Sequence, residues 1–161
     1  MQVEIIELPG KTFFMRRKDL PLLADIEIKM ENQASFLAPL DNLLLDRKLI
    51  SMIFGFDYTW EIYKKPHQRQ YGHYTLPVLY GDRFIARFDP VMDLKKKQLL
   101  IKNWWWEDGI KPGRELQKAL YNALRAFMTY LGANDLLLTD VVKSNHGMEW
   151  LEIIYLNFLP S

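Results

Sequence analysis

Four stretches between Tyr58 and Trp106 read as short strands separated by turn-forming residues, and the first three alternate apolar and polar side chains as half-buried strands do. They cover 58–63 (YTWEIY), 73–80 (HYTLPVLY), 83–89 (RFIARFD) and 98–106 (QLLIKNWWW). Gly81-Asp82 supplies a tight turn between the second and third, and a charged turn over 91–97 leads into the fourth. Short strands at this spacing predict a meander that curls toward a barrel. Pro77 cannot donate to a ladder, so it predicts an edge or a bulge within the second strand.

The period then changes. From Arg114 to Leu131, Leu116, Ala119, Leu120, Ala123, Leu124, Phe127, Met128 and Leu131 recur at helical spacing, with Lys118, Asn122 and Arg125 opposite. Gly132 follows as a C-terminal cap. A second helix is predicted over 43–54, with Asp41 as its N-cap and Gly55 as its stop. Upstream, 3–8 and 12–16 read as two strands around Pro9-Gly10-Lys11, and 18–25 as a connector or short helix with Pro21 near its start. The segment SFLAPL at 35–40 is apolar and broken by Pro39. LLLTDVV after Asn134 is strand-like, and 148–159 is apolar enough for a last strand or helix. The fold class expected is α+β: a curled antiparallel sheet, a partly closed β-barrel, carrying one long packed helix and shorter flanking helices.

Composition excludes several classes. The chain has 161 residues and no cysteine, which rules out disulfides and thiolate metal sites and fits a reducing compartment. No apolar run reaches the length of a membrane span, and MQVEIIELPG has acids where a signal peptide carries bases. A cytoplasmic protein without membrane contact is expected. The net charge of +1 is uninformative, but its distribution is not. Residues 61–105 hold nine Lys/Arg against four Asp/Glu, whereas 134–161 hold one against four. A basic middle suits a polyanion, and a solvated surface accounts for it equally well.

Familiar catalytic signatures (GxSxG, P-loop, HExxH) are absent from the sequence. His67 and His73 flank one turn but lack a third ligand at suitable spacing, so no metal is expected. Asp41 and Asp46, five apart with Arg47 beside the second, read as a cap and an Asp–Arg pair before they read as an acid–base pair. Trp104, Trp105 and Trp106 in a row either alternate into a core or offer an interface. The segment 64–74 (KKPHQRQYGHY) joins cations, amides and aromatics between two expected strands. Cations there would neutralise phosphates while Gln, His and Tyr reach sugars or base edges. An edge hairpin kept soluble by lysine is the other reading, and the segment alone leaves both open.

At these residues the chain resembles a bacterial winged-helix family that includes DNA glycosylases unhooking interstrand crosslinks. The resemblance is carried by Asp46-Arg47, Phe54, Phe56, Tyr58, Glu61, Tyr63, Pro66, Arg69, Tyr71-Gly72, Tyr74, Leu76-Pro77, Leu79, Gly81-Asp82 and Arg87, in order between Phe36 and Asp93. It implies tandem winged helices followed by a C-terminal β-barrel arranged around duplex DNA. Residues 1–30 would then end a winged-helix unit or connect to it, and 31–161 would be the barrel-like domain with its helix at 114–131. The abrupt start in strand-like sequence favours an excised or truncated domain over a stand-alone barrel. The family's catalytic Gln-x-Gln or Gln-x-Asp motif belongs to the winged-helix region. Gln68-Arg69-Gln70 shares its letters but has a charged middle residue in the expected hairpin, so no catalytic residue is carried over. The expectation is a non-catalytic DNA-binding module of a nucleoid-associated repair glycosylase for alkylated or crosslinked DNA, needing no cofactor. Its partner would be double-stranded DNA, held by Lys64, Lys65, His67, Gln68, Arg69, Tyr71, His73 and Arg87. A protein–protein module, or a stand-alone barrel domain without DNA affinity, is the alternative.

Overall fold

The computed structural model describes residues 2–8, 10–24 and 32–151, in two compact units, 1–30 and 31–161. In the first unit, strands β1 (Val3–Leu8) and β2 (Lys11–Arg16) pair antiparallel, with Ile5 opposite Phe14 and Ile6 opposite Phe13. Gly10 turns the chain at φ 84°, a conformation that costs glycine little. A 3-10 turn over Arg17–Asp19 leads into a short helix, α1 (Leu20–Ala24), with Pro21 at its second position. Asp25, the expected end of this connector, lies outside the described residues.

The second unit is built on a five-stranded sheet in the order β3-β4-β5-β6-β7. Its strands are β3 (Ala34–Phe36), β4 (Leu76–Tyr80), β5 (Arg83–Asp93), β6 (Gln98–Trp106) and β7 (Asp135–Leu138). The first four run antiparallel, and the sheet curls into a half-barrel. Bulges fall between Val78 and Leu79 and between Asp89 and Pro90, where the ladder shifts register and the strands bend. Pro77 thus stands next to a bulge, but β4 is an inner strand flanked by β3. β7 departs from the expected antiparallel pattern: it pairs parallel to β6, Leu99 beside Leu136. A parallel neighbour needs a crossover, and the helix α4 (Arg114–Leu131) provides it.

The helical stripe decides where the main core sits. Leu120, Leu124 and Met128, each four apart, are fully buried with Val78, Phe88, Leu99, Ile101 and Leu136. Phe127 meets Phe36 and Phe88 edge-on at ring-centroid separations of 5.5 and 6.1 Å. Gly132 closes α4 in the left-handed conformation at φ 67°, its N–H donating to the last turn. After β7, Thr139 caps a short helix, α5 (Asp140–Lys143), so the strand-like run LLLTDVV is half strand and half helix. Met148, Trp150 and Leu151 are buried in the same core, and the expected tail from 152 onward lies outside the described residues.

A second cluster holds Leu44, Ile50, Phe56, Tyr58 and Phe84. Its helices are α2 (Asn42–Leu45) and α3 (Arg47–Phe54), where a single helix over 43–54 is expected. Asp46 divides them. Its backbone leaves helical geometry (φ −94°, ψ 83°) and its carboxylate accepts the N–H of Leu49 at 3.0 Å, while Asp41 accepts that of Leu43 at 2.9 Å. Both aspartates are helix caps, worth about 1 kcal/mol each.

The expected strand at 58–63 is absent. Phe56 and Tyr58 point inward, Asp57 and Thr59 outward, and no ladder partner joins them among the described residues. Alternation here reports an extended segment with one buried face. The Tyr58 hydroxyl holds it to the residue just before β4 by donating to the Thr75 carbonyl at 2.9 Å. Burial raises the pKa of that hydroxyl, so it remains a donor.

Candidate nucleic-acid interface

Without a strand at 58–63, residues 61–75 form an irregular loop instead of a β-hairpin, with a 3-10 turn at Pro66–Gln68. The other root of the loop is β4, which begins at Leu76 instead of residue 73. An irregular loop needs partners for its backbone, and the buried Glu61 provides several. Its carboxylate accepts the Tyr71 N–H at 2.8 Å, the Gln70 N–H at 3.1 Å and the Lys64 ammonium at 2.7 Å. Burial raises the carboxyl pKa, but the Lys64 and backbone hydrogen bonds and the Lys64 charge outweigh it, lowering the pKa from 4.5 to about 2. One carboxylate therefore ties the start of the loop to its far side.

A second fastening lies beneath Tyr71. Arg87, from β5, is buried between two rings, its guanidinium carbon 4.2 Å from the Tyr71 centroid and 4.4 Å from that of Phe56. Its Nε donates to Glu107 at 2.7 Å and a terminal nitrogen to the Asp57 carbonyl at 3.1 Å. Tyr71 also meets Trp105 edge-on at 5.3 Å. Gly72 lies so close to β5 that a Cβ there would stand 2.6 Å from the Asp89 carboxylate. Below the loop a polar cleft of about 370 Å³ is lined by Asp57, Glu61, Lys64, Tyr71, Arg87 and Glu107. Several of its charges face one another as ion pairs.

The eight expected contact residues fall into two sets. Lys64, Arg69, Tyr71 and Arg87 hold the loop: Lys64 on Glu61, Arg69 through its Nε on the Lys64 carbonyl at 3.0 Å, and Tyr71 and Arg87 in the stack. Lys65, His67, Gln68 and His73 are exposed, with no side-chain partner among the described residues. Gln70 donates to the Tyr71 hydroxyl at 3.2 Å. No group of three His, Cys, Asp or Glu is placed to hold a metal ion among the described residues.

The tryptophan triplet belongs to the fold. Trp104 is buried against Phe88 and Trp150, Trp105 meets Tyr71 from the opposite face, and Trp106 donates to the His146 carbonyl at 2.9 Å. The expected sites omit Arg47 and Lys48, which with Tyr58 and Thr59 line a cleft of about 540 Å³ beside the extended segment. Their signal is the Asp46 cap, which starts a helix with two cations in its first turn.

The second unit is thus a curled α+β sheet that presents a fastened loop with exposed hydrogen-bonding groups, a form suited to holding a ligand on its surface. Residues 2–130 match the family described as DNA glycosylase AlkZ-like, and the chain belongs to that family. Membership assigns it a role related to DNA repair, with DNA as the partner. No solved structure matches the chain. No helix among the described residues is long and apolar enough to cross a membrane.

Proposed function

We propose that this chain is the DNA-holding, non-catalytic part of a winged-helix glycosylase that acts on alkylated or crosslinked duplex DNA, with the loop 61–75 as its main contact. Residues 1–30 are then the end of a winged-helix unit or its connector, and 31–161 the barrel-like domain. The observation that carries the proposal is the division of labour in the loop. Glu61 and the Tyr71–Arg87–Phe56 stack fix it from below, and Lys65, His67, Gln68 and His73 remain exposed. Preorganised donors lose little freedom on binding, and a cation among amides and imidazoles suits phosphate and sugar oxygens. Lys64 and Arg69 add charge to the same surface while holding it, and Arg87 serves the contact through Tyr71.

Two assays on the purified chain test this reading. Alkylated duplex incubated with it should release no base; release abolished by Gln70→Ala would overturn the non-catalytic assignment. In a DNA-binding assay, Lys65→Ala with Arg69→Ala should weaken duplex affinity, with the folded state checked by circular dichroism. Equal affinity of parent and variant would remove the loop from the interface.

A further inference from the structure

Three aromatic side chains at the roots of this loop lie outside the Glu61 hydrogen bonds and the Arg87 stack. Tyr63 is 90% exposed, Tyr74 is 41% exposed, and Trp60 lies half-buried between them. Trp60 meets Tyr63 at a centroid separation of 6.1 Å and 63°, and Tyr74 at 6.1 Å and 81°. The Trp60 indole N–H is buried with no acceptor among the described residues, so edge-on ring contacts and the apolar cluster beneath hold the indole in place. The loop leaves at Tyr63 and returns at Tyr74, and Trp60 draws the two roots together.

We propose that Tyr63, backed by Trp60 and flanked by Tyr74, is a stacking platform for an unpaired nucleobase in DNA. The proposal rests on the reading that this loop meets DNA, and it adds the feature of the DNA that is recognised. A paired base inside a duplex has both faces covered by its neighbours, so away from the duplex ends an exposed ring reaches a base face only where a base has left the stack. Tyrosine suits this use because a large rigid ring on two side-chain torsions loses little freedom on contact. The Glu61 carboxylate sits two residues before Tyr63 and holds the chain on either side of it, so the ring stands on a fixed base. Lys65, two residues beyond Tyr63, is exposed with no side-chain partner among the described residues and supplies a cation for the phosphate of the stacked nucleotide. Packing gives no reason for Tyr63, since its ring covers almost nothing of the core.

The test uses the whole chain and two duplexes, one perfect and one carrying a single bulged 2-aminopurine whose fluorescence falls on stacking. Parent and Tyr63→Phe should quench the bulged base, and Tyr63→Ala should not. Tyr63→Ala should weaken binding of the bulged duplex about five- to 150-fold, the range for one base–aromatic stack, and leave the perfect duplex unchanged. Equal losses on both duplexes, or none on either, would overturn the platform. Lys65→Ala separates the two readings. If it weakens both duplexes while Tyr63→Ala changes neither, the loop meets DNA and the platform is wrong. If the parent binds neither duplex, both readings fall.

Discussion

Replacing Glu61 by glutamine tests the fastening of the loop. The substitution keeps the side-chain shape and one acceptor oxygen, but turns the other oxygen into an NH2 group that cannot accept from the loop backbone. One of the hydrogen bonds from Gln70 and Tyr71, at 3.1 and 2.8 Å, is lost, and Lys64 loses its counter-charge. The depression of the carboxyl pKa from 4.5 to about 2 corresponds to at most about 3 kcal/mol. The Lys64 side chain is 43% exposed, so solvent screens part of that attraction and a cost of about 1–3 kcal/mol is expected at neutral pH. A depressed carboxyl pKa stabilises the fold above the unfolded value, and that stability fades as pH falls. The contribution is complete above about pH 4.5, declines toward about pH 2 and is gone below it. Urea unfolding of parent and Glu61→Gln should therefore show a stability gap at pH 7 that narrows across this window. A gap independent of pH, or no gap at pH 7, would refute the assignment of Glu61 as the ionised fastener.

Three other substitutions probe the frame around the loop. Arg87→Leu should cost about 1–3 kcal/mol in urea unfolding, because it removes the half-buried ion pair to Glu107 and the hydrogen bond to the Asp57 carbonyl; an effect below 0.5 kcal/mol would mean that the stack does not hold the loop. Gly72→Ala should destabilise by about 1–3 kcal/mol, since its Cβ would meet the Asp89 carboxylate at 2.6 Å, and pairing it with Asp89→Ala should recover part of the loss; strict additivity in the double variant would contradict this. Leu124→Ala, at a position with no solvent exposure on α4, should cost about 2–5 kcal/mol in the same assay, and a smaller loss would place the main core elsewhere.

The parts of the fold legible in the sequence are those set by local periodicity. The stripe from Leu116 to Leu131 predicts α4 to the residue because each apolar position lies on one face that has a sheet to cover. β4 and β5 follow from alternation and β6 from its apolar run after a charged turn, although β5 runs on to Asp93 because a bulge at Pro90 absorbs the proline. Alternation misleads at 58–63, since period two reports sidedness and not pairing. The parallel placement of β7 depends on where α4 returns the chain, and no local pattern records that. In the candidate site, the chemistry of 64–74 is visible in its composition, but the separation of holders from exposed residues is not. Arg87 reads as a surface cation until Phe56, Tyr71 and Glu107 are brought around it from three distant segments. Glu61 reads as the polar face of a strand, and its burial follows from the loop folding back onto it.

The salt dependence of duplex binding tests most directly whether this chain holds DNA through the loop. Affinity for a perfect duplex should fall steeply with salt for the parent, and the log–log slope should flatten by roughly one unit for each phosphate contact removed. Lys64→Ala, Lys65→Ala and Arg69→Ala combined should therefore flatten the slope by roughly two to three units. The same affinity and the same slope in parent and triple variant, with both proteins folded, would contradict the account and shift attention to the exposed turn at Lys95, Lys96 and Lys97.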